Sequence, residues 1–94
     1  ALYYRGIVNK VNKDYEASLQ DFNLCIQINP YRYYPYFNRA QVYFEMNDYD
    51  HALEDCISAL EIDPDAEEAT KLREMINSGL DLKKIQNKKD NWEI

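Results

Sequence analysis

The chain has 94 residues, with 17 Asp and Glu against 11 Lys and Arg and a net charge of −6. That length accommodates one small domain, and the acidic balance excludes a nucleic-acid surface, which needs a basic face for the phosphates. No apolar run is long enough to cross a bilayer and no signal-peptide pattern opens the chain, so membrane insertion is not expected and the expected compartment is the cytoplasm.

In chain order, Leu2 to Val11 reads as a short leading helix and Tyr15 to Ile28 as its partner. Pro35 then sits where a first-turn proline is tolerated, and Tyr36, Ala40, Tyr43 and Phe44 recur at helical spacing. Asn47-Asp48 interrupts that pattern, with Asp48 placed to cap the next helix. Tyr49, Ala52, Leu53, Cys56, Ile57, Ala59 and Leu60 follow at i, i+3, i+4 intervals, an amphipathic stripe stopped by Asp63-Pro64. Ala66 to Ser78 is helical again, with Ala69, Leu72, Met75 and Ile76 on one face, and Ser78-Gly79 is expected to end it. Asp81 can cap a further short helix carrying Leu82, Ile85 and Trp92, with a loose tail as the alternative. Short connections make each pair of helices antiparallel.

One unit is written twice. Sliding the chain so that Arg5 falls on Arg39 also brings Val8 onto Val42, Asp14-Tyr15 onto Asp48-Tyr49 and Leu19 onto Leu53. The same shift brings Asp21 onto Asp55, Ile28 onto Ile62 and Pro30 onto Pro64. These matches fall at turns and at helical core positions, which marks a repeat architecture. The organisation read from them is a first unit over 1–30, a second over 31–64, a closing helix over 65–79 and a basic tail over 80–94. The period fails after Pro64, where Glu74 replaces the small residue at the helix crossing, so the closing helix is read as a cover for the last apolar face. The chain opens Ala1-Leu2-Tyr3-Tyr4 without Met, which suggests a piece of something longer, with additional repeats before Ala1 or a homo-oligomer supplying the neighbours.

The second unit carries Tyr36, Arg39-Ala40, Tyr43, Ala52, Cys56, Ala59 and Pro64, and the first carries Leu2, Arg5-Gly6, Asn9, Ser18, Phe22, Cys25 and Pro30. With its period, this pattern resembles the tetratricopeptide repeat, over residues 1 to 64 plus the closing helix. Arg stands for the family's Leu in both units, Asn9 for its Tyr, and Cys56 for its aromatic. The resemblance implies an all-α fold, an α-solenoid of antiparallel helix pairs in a right-handed superhelix, with about five helices plus a possible short C-terminal one. The small residues Gly6, Ala40, Ser18, Ala52, Cys25 and Ala59 let helices approach closely, and Tyr15 and Tyr49 are expected to plug the turn within each unit. Arg5 and Asp21 share one separation with Arg39 and Asp55, so each arginine is expected to pair with an aspartate, within its unit or from Asp21 across to Arg39.

Carried over position by position, the family's concave side would present Tyr3, Tyr4 and Ile7, then Tyr34, Phe37, Asn38, Gln41, Phe44 and Glu45, and finally Lys71, Leu72 and Met75. Tyrosines suit a binding surface because they bury much area and keep a polar tip, and a free Asn38 amide could hold a peptide backbone in register. The alternative is that these aromatics pack against a preceding repeat or a neighbouring copy.

Tyr36-Phe37-Asn38-Arg39-Ala40 followed by Asp55-Cys56 is similar to the second repeat of chaperone-cofactor tetratricopeptide domains, which grip the terminal carboxylate of heat-shock chaperones with asparagines and basic residues. Only Asn38 matches that set. Ile7 and Tyr3 stand for an asparagine and a lysine, and Glu68 and Leu72 for basic groups of the closing helix. Glu68 would repel a carboxylate.

The sequence carries no catalytic constellation. Gly6 and Gly79 form no phosphate-cradling loop, no nucleophile–base arrangement is visible, and His51 has no Cys or His neighbour at metal-ligand spacing. Cys25 and Cys56 lie in apolar helical patterns and make no disulfide framework. Ten acids without a Lys or Arg between Glu45 and Glu68, and four lysines between Lys83 and Lys89, read as solvated faces. The expected function is therefore a non-catalytic module that binds a peptide segment or helix of another protein in an aromatic groove, without metal or cofactor. The alternatives are a structural or self-associating segment of a longer array, or a chaperone-cofactor-like domain lacking most of its carboxylate clamp.

Overall fold

Five helices follow one another: α1 (Leu2–Val11), α2 (Tyr15–Ile28), α3 (Tyr33–Glu45), α4 (Tyr49–Ile62) and α5 (Glu67–Trp92). A computed structural model describes the backbone of residues 1–92 and the side chains of residues 1–86. The connections are short, so each helix packs antiparallel against the next. In addition α1 touches α3 and α3 touches α5, which places these three helices along one side of the body.

The two units turn at the same register. Lys13 (φ 64°) and Asn47 (φ 62°), equivalent positions of the two units, take the left-handed conformation just after α1 and α3. The following amides then reach back to the helix: Asp14 N–H donates to the Asn9 carbonyl at 2.8 Å and Asp48 N–H to the Tyr43 carbonyl at 2.9 Å. This left-handed stop satisfies carbonyls that the helix end leaves open. Pro35 lies in the first turn of α3, where its missing N–H loses no bond. Asp48 caps α4 by accepting from the His51 amide.

Small residues set the helix spacing. Gly6 of α1 lies against the buried Phe22 ring of α2, so that a Cβ there would come within 2.8 Å of it. Ser18, fully buried, donates its hydroxyl to the Gly6 carbonyl at 2.7 Å across the same crossing. In the second unit Ala40, Ala52, Cys56 and Ala59 meet with Phe37, and α5 adds Ala69, Leu72 and Ile76 to make the main core.

The closing helix departs from the expectation of a stop at Ser78-Gly79. α5 runs on without interruption through Gly79 to Trp92, roughly 39 Å at the α-helical rise. No glycine in the chain has a positive φ, so Gly79 is not a helix cap. It is a contact point: a Cβ there would meet the Tyr49 ring at 2.9 Å. Tyr49 packs on Phe44 and bonds to Asn47, so it bridges the turn and α5 together. Its counterpart Tyr15 is half-buried and lies beside Glu45 on the open side of the body. Leu82 and Ile85 are exposed on the extension, and the Trp92 side chain lies outside the described residues. Among the described residues no helix is long and apolar enough to cross a membrane.

Candidate functional site

The arginines and aspartates come together within each unit. Arg5 donates through Nη2 to Asp21 Oδ1 at 2.6 Å and through Nε to the same carboxylate at 3.0 Å. Arg39 makes the matching fork on Asp55 at 2.7 and 2.8 Å. The pairs nevertheless differ in setting. Arg5 is 64% exposed, and Asp21, itself buried, also accepts from the Asn9 amide at 3.0 Å. Arg39 is 20% exposed, sits between the two units, and also donates to Asn23 of α2. The bond from Arg5 holds the Asp21 carboxyl below its usual range. Burial pushes Asp55 the other way, above the usual range, and Arg39 only partly offsets it. Asn9, the departure from the repeat pattern, thus has a role: it is an additional donor to Asp21, where Tyr43 stands in the second unit.

A groove of about 610 Å³ lies between α1, α3 and α5. From the residues expected on the concave side it takes Phe37, Gln41, Phe44, Glu45, Lys71, Leu72 and Met75. Four others lie elsewhere. Tyr4 and Ile7 are not among its lining residues, Tyr4 being exposed and Ile7 half-buried on α1. Tyr3 and Tyr34 line a separate apolar pocket of about 290 Å³ with Cys25, Arg32, Tyr33 and Pro35.

Two expected contact residues are taken up by the fold. Asn38 is only 6% exposed, and its amide is fully engaged. Nδ2 donates to the Tyr34 carbonyl at 2.9 Å and to the Tyr3 hydroxyl at 3.1 Å, while Oδ1 accepts from Lys10 Nζ at 2.7 Å. It therefore joins the two units and is not free to hold a peptide backbone. The reason is position: the repeat register places Asn38 where the second unit stacks on the first. Phe37 is likewise core, 7% exposed and stacked on Tyr33, with only its edge reaching the groove.

The groove also contains residues that the position-by-position reading left out: Lys10, Val11, Lys13, Tyr15 and Glu68. Lys10 extends from α1 to bond both Asn38 and Gln41 at 2.7 Å. Both acceptors are neutral amides, and burial lowers the Lys10 pKa. The helical face through Tyr3 and Ile7 continues at i+7 to Lys10, so spacing alone could have flagged it.

The thiols are not reactive centres by environment. Burial pushes the Cys56 pKa up to about 11 and raises that of Cys25. Among the described residues no group of three or more His, Cys, Asp or Glu side chains is arranged to hold a metal ion.

Two helix pairs in one register, closed by an α5 that keeps it, are matched by a family model described as tetratricopeptide repeat over residues 5–77. The chain belongs to the tetratricopeptide repeat family. It is similar to the Hsp70-Hsp90 organising protein of Plasmodium falciparum (isolate 3D7), 39% identical over 49 residues, which is 52% of this chain and 9% of that protein. It is also similar to the small glutamine-rich tetratricopeptide repeat-containing protein 2 of Saccharomyces cerevisiae (strain ATCC 204508 / S288c), 38% identical over 63 residues, covering 67% of this chain and 18% of that protein. The chain thus spans less than a fifth of the length of either relative. Its tetratricopeptide units are those of a protein-interaction module.

Proposed function

We propose that this chain is non-catalytic and holds a peptide segment or helix of another protein in the groove between α1, α3 and α5. The observation that carries this reading is the lining: Phe44 and Met75 give apolar area above the buried Leu72, while Gln41, Lys13 and Glu45 give polar groups at the edge. A concave, largely apolar site with a few polar groups is the usual form of a binding pocket. The groove acts through Gln41, Phe44 and Met75, since Asn38 and most of Phe37 are occupied by the fold. A test is affinity capture with wild type beside a Gln41→Ala/Met75→Asp double variant, with circular dichroism to check folding. The expected result is loss of the captured partners; an unchanged partner list would refute the groove.

A second reading, a structural or self-associating segment, has its own supporting observation. Val8 on α1 is 55% exposed, whereas Val42, its counterpart on α3, against which α1 and α2 of the first unit pack, is 0% exposed. Tyr4, Val8 and Val11 thus form an open apolar stripe that a preceding unit or a second copy would cover. Sedimentation separates the readings: a dimer dispersed by Val8→Ser supports self-association, and a monomer with an accessible groove supports ligand binding. The relatives' names bring a third possibility, a chaperone terminus. The groove has cations in Lys10, Lys13 and Lys71, but Ile7, Glu68 and Leu72 stand where the resemblance calls for an asparagine and basic groups, and Glu68 would repel a carboxylate there.

A further inference from the structure

Charge is distributed unevenly along the groove. At the C-terminal ends of α1 and α3, Lys10 and Lys13 face it against a single carboxylate, that of Glu45. Towards the N-termini of α3 and α5 the groove shares Glu68 and Lys71 with a second depression of about 510 Å³. Tyr33 and Tyr34 wall one side of that mouth, and Asp63, Glu67 and Glu68 the other. Three carboxylates therefore stand against one ammonium, that of Lys71. Arg32 lines the adjoining apolar pocket with Tyr33 and Tyr34 and is not part of this lining.

The aromatic wall is held in place. Tyr33 donates its hydroxyl to Glu68 Oε1 at 3.2 Å, stacks on Phe37 and meets Tyr34 edge-to-face at 4.9 Å between centroids. Burial, and then the charge of Glu68, raise the Tyr33 pKa, so its hydroxyl stays a neutral donor and the negative charge of the mouth resides on the carboxylates. Tyr34 remains exposed. An exposed tyrosine ring beside carboxylates attracts a Lys or Arg side chain by two forces at once, the ring quadrupole and the opposite charge.

We propose that this mouth receives a Lys or Arg side chain of the bound segment, whose apolar neighbour lies over Phe44 and Met75 further along the groove. The partner is then a basic–apolar peptide, and its direction is set, with the cation at the N-terminal end of α5 and away from Lys10 and Lys13. Along α3 the two ends, near Tyr34 and near Phe44, are separated by roughly 15 Å at the helical rise. The assignment rests on the groove reading above and goes beyond it by naming the chemistry of the partner.

The test uses the whole chain and a degenerate library of short peptides, each with one fixed leucine, at low and at high salt. The wild type is expected to enrich Lys or Arg at one position near the leucine, to exclude Asp and Glu there, and to lose most of that preference at high salt. Glu67→Lys/Glu68→Lys is expected to invert the charge preference while keeping the aliphatic one. Tyr34→Ala is expected to weaken a selected Lys peptide about three- to tenfold. Enrichment of acidic residues by the wild type, or a Lys preference untouched by the reversal, overturns the assignment. Aliphatic selection with no charge preference overturns it while leaving the groove reading in place; no selection of any kind removes both. Sedimentation without peptide covers the remaining occupant, since a dimer dispersed by the same reversal would mean that a second copy fills the mouth.

Discussion

At Gly6 a single missing Cβ sets the distance between two helices. The Phe22 ring that lies against it is fully buried, and a Cβ at 2.8 Å is too close for both to stay, so the added methyl of Gly6→Ala must displace it. We expect Gly6→Ala to cost about 2 kcal/mol, as overpacking in a tight core does, despite the better helix propensity of alanine; urea unfolding measures it. The two ion pairs give a second contrast between residues that look alike in sequence. Removing Arg39 leaves Asp55 buried without its partner, so Arg39→Ala is expected to cost about 3 kcal/mol, and Arg5→Ala, whose aspartate retains Asn9, distinctly less. Their pH dependences have opposite signs. Asp21 has a folded pKa below its unfolded one, so its contribution is present above the usual aspartate range and is lost as the pH falls through the depressed value. Asp55 has a raised folded pKa, so its contribution is present below the usual range and is lost as the pH rises through the raised value. Thermal unfolding of Asp21→Asn and Asp55→Asn across the acid range should remove slopes of opposite sign from the wild-type curve.

α5 is the element that makes two units self-sufficient on one side. Its N-terminal half keeps the register of a leading helix, so that Ile76 falls one period after Val42, and both are fully buried. The opposite face, with Glu74, Asn77 and Asp81, is exposed and polar and ends the stack. Ile76→Ala should therefore cost about 3 kcal/mol, whereas Leu82→Ser, on the exposed extension, should leave the unfolding midpoint nearly unchanged. A comparable loss in both would mean that the extension packs back on the body.

Across the whole molecule the burial is lopsided. The main core joins α3, α4 and α5, while α1 contributes only Gly6 to the fully buried set and leaves Tyr4, Val8 and Val11 open. Stability in a solenoid is a sum over units and the interfaces between them, so the amides of α1 should exchange hydrogen faster than those of α3 and α4. Uniform protection across all five helices would contradict this gradient. A partner or second copy seated on the α1 stripe would raise protection there first, which makes exchange a reporter for occupancy as well.

The amino-acid sequence by itself determined the repeat, its period, the helix pairs and the small residues at their crossings, because these depend on spacing along a helix and on turn chemistry at Asn47-Asp48 and Pro64. It also carried the arginine–aspartate pairs in its spacing, though not their different surroundings, which depend on what packs outside each unit. Tertiary structure alone decided which concave residues remain available. Asn38 is consumed by stacking between units and Phe37 by the core of the second unit and α5, Lys10 crosses from α1 to fill the groove, and Gly79 is a contact for Tyr49 instead of a helix end. Each of these depends on distances between residues far apart in the chain, and helical periodicity carries no information about such distances.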